Sequence, residues 1–185
     1  MKTITVFNRD DFRKWLVRNH DKENKVSVIV YKKHTGKPFP SHKELMEEAI
    51  CFGWIDTTLK RLDEERYVRH FSKRTKNSKW SNNTMKYGGD LIKQGRMMPM
   101  GLKYYKEALK KKPFDFDVPK NPGIPAGLKK ALDGDKIAKE NFDNFPPSIK
   151  KMIYRRILLA KREETKERRI KLVVSNARID KRTIF

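Results

Sequence analysis

Ala49-Ile50-Cys51-Phe52-Gly53-Trp54-Ile55-Asp56 constrains the fold more than any other stretch, because the residue pattern changes from helical to extended across a single glycine. Ala49 to Phe52 close an amphipathic run. Gly53 is suited to the left-handed conformation that ends a helix, since it has no side chain to clash there. Trp54-Ile55 then begins a strand. Ile55 to Leu62 and Arg66 to Lys73 mix β-branched, aromatic and basic residues in rough alternation, with Asp63-Glu64-Glu65 as the polar turn between them, so the spacing predicts a β-hairpin. The basic stretch Arg74 to Lys79 leads to Trp80 and to Ser81, which is placed to cap the next helix. A corner, a hairpin and a basic loop ending in Trp80 together form a surface suited to an anion.

The flanking chain supplies the layers. Thr3 to Phe7 alternates weakly as a short strand, and Asp10 or Asp11 is the expected cap of a helix carrying Phe12, Trp15 and Leu16 on one face. Val26 to Tyr31 is the clearest strand, a β-branched run suited to a central position. After the loop Thr35 to Pro40, Ser41 with Glu44 three residues on is a capping box that opens the helix leading to Gly53. Helices are expected from Ser81 to Lys93, weakened or broken by Gly88-Gly89, and from Pro99 to about Lys110. Pro113, Pro119, Pro122, Gly123 and Pro125 mark a linker. Helical spacing then returns over 126–132, 135–141 and from Pro147 to Ala160 or beyond, where Ile149, Ile153, Arg156, Ile157 and Ala160 recur at three and four. The expected architecture is α+β: a small, mainly antiparallel sheet packed with helices over 1–112, a linker over 113–125, and a helical unit over 126–185.

Charge bounds the function. A formal net charge of +22 exceeds what solubility needs and points to an anionic ligand or nucleic acid, against the plainer reading of a Lys-rich surface. The excess gathers in two regions: 16 Lys and Arg against five Asp and Glu over residues 60–112, and 13 against four over 150–185. One cysteine excludes an intramolecular disulfide framework and a multi-cysteine zinc site. No apolar run suits a signal peptide or a membrane span, so a cytoplasmic location is expected.

Ala49-Ile50-Cys51-Phe52-Gly53-Trp54-Ile55-Asp56, followed by Leu62-Asp63-Glu64 and by Ser78-Lys79-Trp80-Ser81 with Asn83, resembles the signature of the YdeI/OmpD-associated, or bacteriocin-protection, family. Gly95-Arg96-Met97 with Gly101, and the run Ala160 to Ile170, are similar to its pattern as well. Lys73 stands where a proline is usual, and Lys166 where an arginine is usual. An ammonium does not replace a guanidinium fork at a bidentate site, so the second departure weakens a shaped clamp there. The resemblance implies a small cytoplasmic protein linked to stress or antimicrobial resistance and transfers no catalytic residue.

Among the residues themselves, Asp56 is the best-placed carboxylate. It is either a general base or, the favoured reading, the partner of Arg69, Lys60 or backbone amides. Cys51, at a helix C-terminal end whose dipole opposes a thiolate, reads as buried and inert. His20, His34, His42 and His70 show no metal spacing, and Gly36-Lys37-Pro38 lacks the other residues of a phosphate loop. The strongest functional set is Arg69, Lys73, Arg74, Lys76, Lys79 and Trp80: cations for phosphates and, if Trp80 is exposed rather than a core anchor, a ring for stacking. A second basic cluster runs from Arg155 and Arg156 through Lys161 to Lys171, with Arg162, Lys166, Arg168 and Arg169 as its anion-binding candidates. Glu164 with Arg168 and Glu167 with Lys171 are spaced to neutralise part of it. The leading expectation is a non-enzymatic protein that binds an anionic partner. A nucleic-acid-binding module of little sequence preference, and a small-molecule enzyme with its site at the Gly53–Asp56 corner, are the alternatives.

Overall fold

The computed structural model describes residues 1–182, which divide between Phe114 and Asp115 into two compact units. The first holds β1 (Lys2–Thr5), α1 (Arg9–Asn19), β2 (Lys25–Tyr31), a single 3-10 turn (Lys33–Thr35), α2 (His42–Cys51), β3 (Trp54–Arg61), β4 (Arg66–Lys73), α3 (Asn82–Lys93) and α4 (Pro99–Leu109). Its sheet has the order β1-β2-β4-β3, with β1 parallel to β2 and the other neighbours antiparallel. This is the α+β arrangement expected, with the hairpin in place.

Alternation along β2 decides which face is covered. Val26, Val28 and Val30 are fully buried, and Val26 stands opposite Phe71 of β4. Phe12 of α1 packs on Phe71 at 4.9 Å between ring centroids, and Trp15 meets Trp54 edge-on at 5.7 Å. The helices therefore lie on the valine face. The opposite face carries Ile29, Ile55 and Val68, each half-buried and outside the core cluster.

Local signals set most helix starts. Ser41 with Glu44 and Ser81 with Thr84 form reciprocal caps. Helix α1 is capped by Asn8 rather than by Asp10 or Asp11: the Asn8 side chain accepts from the Asp11 amide, and the Asp11 carboxylate accepts from the Asn8 amide. Gly53 has φ of 73°, as its place between α2 and β3 requires. Gly88-Gly89 does not break α3. Gly88 is buried under the Tyr105 ring of α4, where a Cβ would come within 2.5 Å of a ring carbon, so the pair serves a helix crossing. The start of α4 also closes on the end of α2: the Met98 amide donates to the Cys51 carbonyl at 3.0 Å, and a Cβ on Gly101 would sit 2.2 Å from that oxygen. An N-terminal end set against carbonyls at a C-terminal end is also the favourable pairing of helix dipoles.

Glu48 is fully buried and ties three segments together. Its carboxylate accepts from Arg9 and Arg13 of α1, and from Arg96 after α3. Burial of the Arg9 and Arg13 guanidiniums favours loss of their protons, but Glu48 outweighs it and both are held above their ordinary value.

The second unit contains α5 (Ala126–Asp133), α6 (Lys136–Asp143), α7 (Pro147–Leu158) and α8 (Glu163–Arg178) around Leu128, Leu132, Phe142, Ile153, Ile157 and Val173. Residues of the proline-rich stretch make contacts with this unit. Arg155 pairs with the buried Asp115 at 3.0 Å and donates to the Pro119 carbonyl at 2.8 Å, while Lys151 reaches the Asn121 side chain at 2.6 Å. Prolines there limit the backbone, and Arg155 and Lys151 of α7 take the Asp115 carboxylate, the Pro119 carbonyl and the Asn121 amide oxygen. Helix α7 stops at Leu158, and Arg162 stands at the N-cap of a separate α8. Among the described residues, no helix is long and apolar enough to cross a membrane.

Candidate anion-binding site

The corner after Gly53 brings Asp56 and Arg69 together across the β3–β4 ladder. Arg69 Nη1 donates to Asp56 Oδ2 at 3.0 Å, and His42 Nε2, from the first residue of α2, lies 3.5 Å from the same oxygen. Asp56 stands opposite Phe71 and Arg69 opposite Val28, so both side chains sit on the helix-covered face, and the ladder shifts register between Asp56 and Leu59. Burial raises the Asp56 carboxyl, but His42 and Arg69 more than offset it and hold it below the ordinary carboxylate value. A general base for neutral pH needs the opposite shift. His70 does not join this group: its Nδ1 is 3.0 Å from Ser27 Oγ, on the open face. Cys51 is fully buried, and that burial, with Glu48 nearby, pushes its thiol upward.

The Trp80 loop holds its cations in three ways. Arg74 is 2% exposed, with Nε donating to the Trp54 carbonyl and Nη1 to the Lys79 carbonyl, each at 3.2 Å, and its guanidinium 3.8 Å over the Trp80 ring. Burial pushes the Arg74 guanidinium down to about 10, with Asp56 opposing. Trp80 is 8% exposed, with Tyr105 at its edge, so its ring offers no open face to a base. The physical reason is local: a guanidinium with two carbonyls to satisfy lies on the ring that would otherwise be wet. Lys73 extends to the Asp21 carbonyl, whereas Lys76 and Lys79 are exposed.

In the second unit the cations converge. Ser148, Lys151, Met152, Arg155, Arg156 and Leu159 of α7 and its end, with Arg169 of α8, line a shallow groove of about 510 Å³. With about 100° between successive helical residues, Lys151 and Arg155 fall along one side of this stripe and Arg156 along the other, with Ser148, Met152 and Leu159 between. Arg169 Nη1 donates to the Arg156 carbonyl, which brings a second guanidinium to the Arg156 side. Burial, and then the positive charge of Arg169, hold Arg156 below its ordinary value. Four cations and no carboxylate line the groove, Asp115 behind Arg155 being the counter-charge to one of them.

Of the sequence candidates in this region, Arg169 lies in the groove. Arg162 and Arg168 are exposed elsewhere on their segment, and Lys166 is 3.4 Å from Glu163. Among the described residues that ion pair replaces the expected Glu164–Arg168 and Glu167–Lys171 pairs. Arg155 and Arg156 were legible as basic cluster members. Lys151 and Met152 were missed, although Ser148, Lys151, Met152, Arg155, Arg156 and Leu159 keep the three-and-four spacing of one helix face. No group of three or more His, Cys, Asp or Glu residues among the described residues is arranged to hold a metal ion.

Two family models match the chain. Residues 4–104 match a domain of unknown function, DUF8412, and residues 121–178 match the family described as bacteriocin-protection, YdeI or OmpD-associated. The second match contains the groove and the run Ala160 to Ile170. The residues around Gly53 and Trp80 that carry the first part of the resemblance fall within the domain of unknown function. No curated protein and no solved structure matches.

Proposed function

Since the chain belongs to the DUF8412 family and carries a bacteriocin-protection, YdeI or OmpD-associated region, we propose that it is a non-enzymatic, resistance-associated protein whose second unit holds an anionic partner in the α7–α8 groove. One observation carries the reading: four cations gather around an open groove with no carboxylate in its lining. Like charges held together cost free energy that an arriving anion recovers, and Arg156 is held below its ordinary value by burial first and then by the charge of Arg169. The corner supports a structural role for Asp56, whose carboxyl is held as an anion by His42 and Arg69. A net charge of +22 further favours an acidic partner over a cationic peptide.

Fluorescence anisotropy with a labelled polyglutamate, repeated at rising salt, tests the proposal. Binding that weakens steeply with salt and drops in Lys151→Glu/Arg169→Glu supports it. Binding that ignores both the variant and the salt overturns it.

A further inference from the structure

The groove is not uniformly polar. Met152 is 48% exposed in its middle, Leu159 lies at its end, and the cations stand along its two sides. The stripe from Ser148 to Leu159 covers about 16 Å of helix at 1.5 Å per residue. That length faces roughly three turns of a second helix. A simple phosphate or carboxylate site has no use for an apolar floor of this extent.

Resting on the anion-binding reading above, we infer that the groove receives an acidic amphipathic segment of a partner protein, with an apolar side chain on Met152 and Leu159 and carboxylates reaching Lys151, Arg155, Arg156 and Arg169. Charge complementarity selects the sign of the partner. The floor selects its class. Sequence-tolerant binding of single-stranded nucleic acid uses aromatic rings on which bases stack, and no aromatic side chain lines this groove. Methionine instead adapts its unbranched, polarizable side chain to apolar partners of varied shape. An amphipathic helix laid in a groove reads as anchors at three- and four-residue spacing, and the lining of α7 repeats at that spacing. Arg155 is held in place by Asp115 and Pro119, which take up part of its charge and donors, so Lys151, Arg156 and Arg169 are the principal contacts for a partner's carboxylates.

The test uses the full chain with methyl-labelled methionine and three fluorescent probes of equal charge: a Leu/Glu peptide with leucines at helical spacing, a polyglutamate, and a single-stranded oligonucleotide. The Leu/Glu peptide should bind about tenfold more tightly than polyglutamate, a difference of about 1.4 kcal/mol, and should shift the Met152 methyl resonance. Met152→Ser, at a half-exposed position where folding is spared, should abolish that advantage and leave polyglutamate unchanged. Equal binding of the two peptides, both lost in Lys151→Glu/Arg169→Glu, overturns the amphipathic partner while the anion site stands. Tighter binding of the oligonucleotide than of either peptide overturns it in favour of nucleic acid. Failure of every probe to move the Met152 methyl overturns the groove as an anion site, and this inference with it.

Discussion

The Arg74 guanidinium lies 3.8 Å over the Trp80 ring, and the stack withdraws both residues from solvent. Two members of a basic loop that looks like a binding surface in one dimension thus serve as part of the fold. The guanidinium fork bridges the Trp54 and Lys79 carbonyls while its plane covers the indole, which an ammonium cannot do. Arg74→Lys should therefore destabilise the first unit by about 2 kcal/mol, read as a lower urea midpoint with an unchanged slope. An unaltered midpoint would show that the stack contributes nothing. Because burial lowers this group to about 10, its charge costs stability at neutral pH, and that cost is relieved only as pH rises above about 10.

Asp56 is also shifted down, but there it is the charged form that the fold favours. A carboxyl held below its ordinary value stabilises the fold above the unfolded value of about 3.9, and that contribution is lost as pH falls through the lower folded value. Wild type should exceed Asp56→Asn in stability at pH 7, and the gap should close in acid. Urea titrations of both proteins at neutral pH and near pH 3 measure it; a gap that stays constant would remove Asp56 from the acid response.

Glu48 is the more costly carboxylate to lose. Replacing it with glutamine leaves Arg9, Arg13 and Arg96 crowded around a neutral group, and breaking a buried pair in this way costs about 3 kcal/mol. Thermal unfolding of Glu48→Gln should show the loss. Because three segments meet there, hydrogen exchange should also quicken along α1 and at the end of α3, and protection equal to wild type would deny the residue its anchoring role.

Gly101→Ala places a methyl against the Cys51 carbonyl, where backbone must move. Overpacking of this kind costs about 1–3 kcal/mol. Gly123→Ala, where no atom lies within 4 Å of the added carbon, should be nearly neutral. Comparing the two midpoints separates a steric demand from a general effect of losing a glycine.

What could be read in advance was local. Gly53, the Ser41–Glu44 pair and the Ser81 cap announce themselves because their partners lie within a few residues. Asn8 was overlooked because Asn8-Arg9-Asp10-Asp11 offers three competent caps, and only the turn geometry chooses among them. Gly88 reads as a defect until Tyr105 arrives from the next helix to use it. Trp80 could have been wet or covered, and the choice rested on the direction taken by Arg74. The groove was visible only in part: Arg155, Arg156 and Arg169 stood out as charge, but the meaning of Lys151 and Met152 depends on α7 and α8 being two helices with Arg169 folded against the Arg156 backbone. Helical spacing in the sequence runs from Pro147 to Ala160 or beyond, and a helix continued through Arg169 would have separated them.

The most direct measurement is the methionine methyl spectrum of the full chain during titration with polyglutamate, at about 50 and about 200 mM salt. The groove account predicts a saturable shift confined to Met152, weaker at the higher salt and absent in Lys151→Glu/Arg169→Glu. Shifts spread evenly over the methionines, or a Met152 signal that never moves, would contradict it.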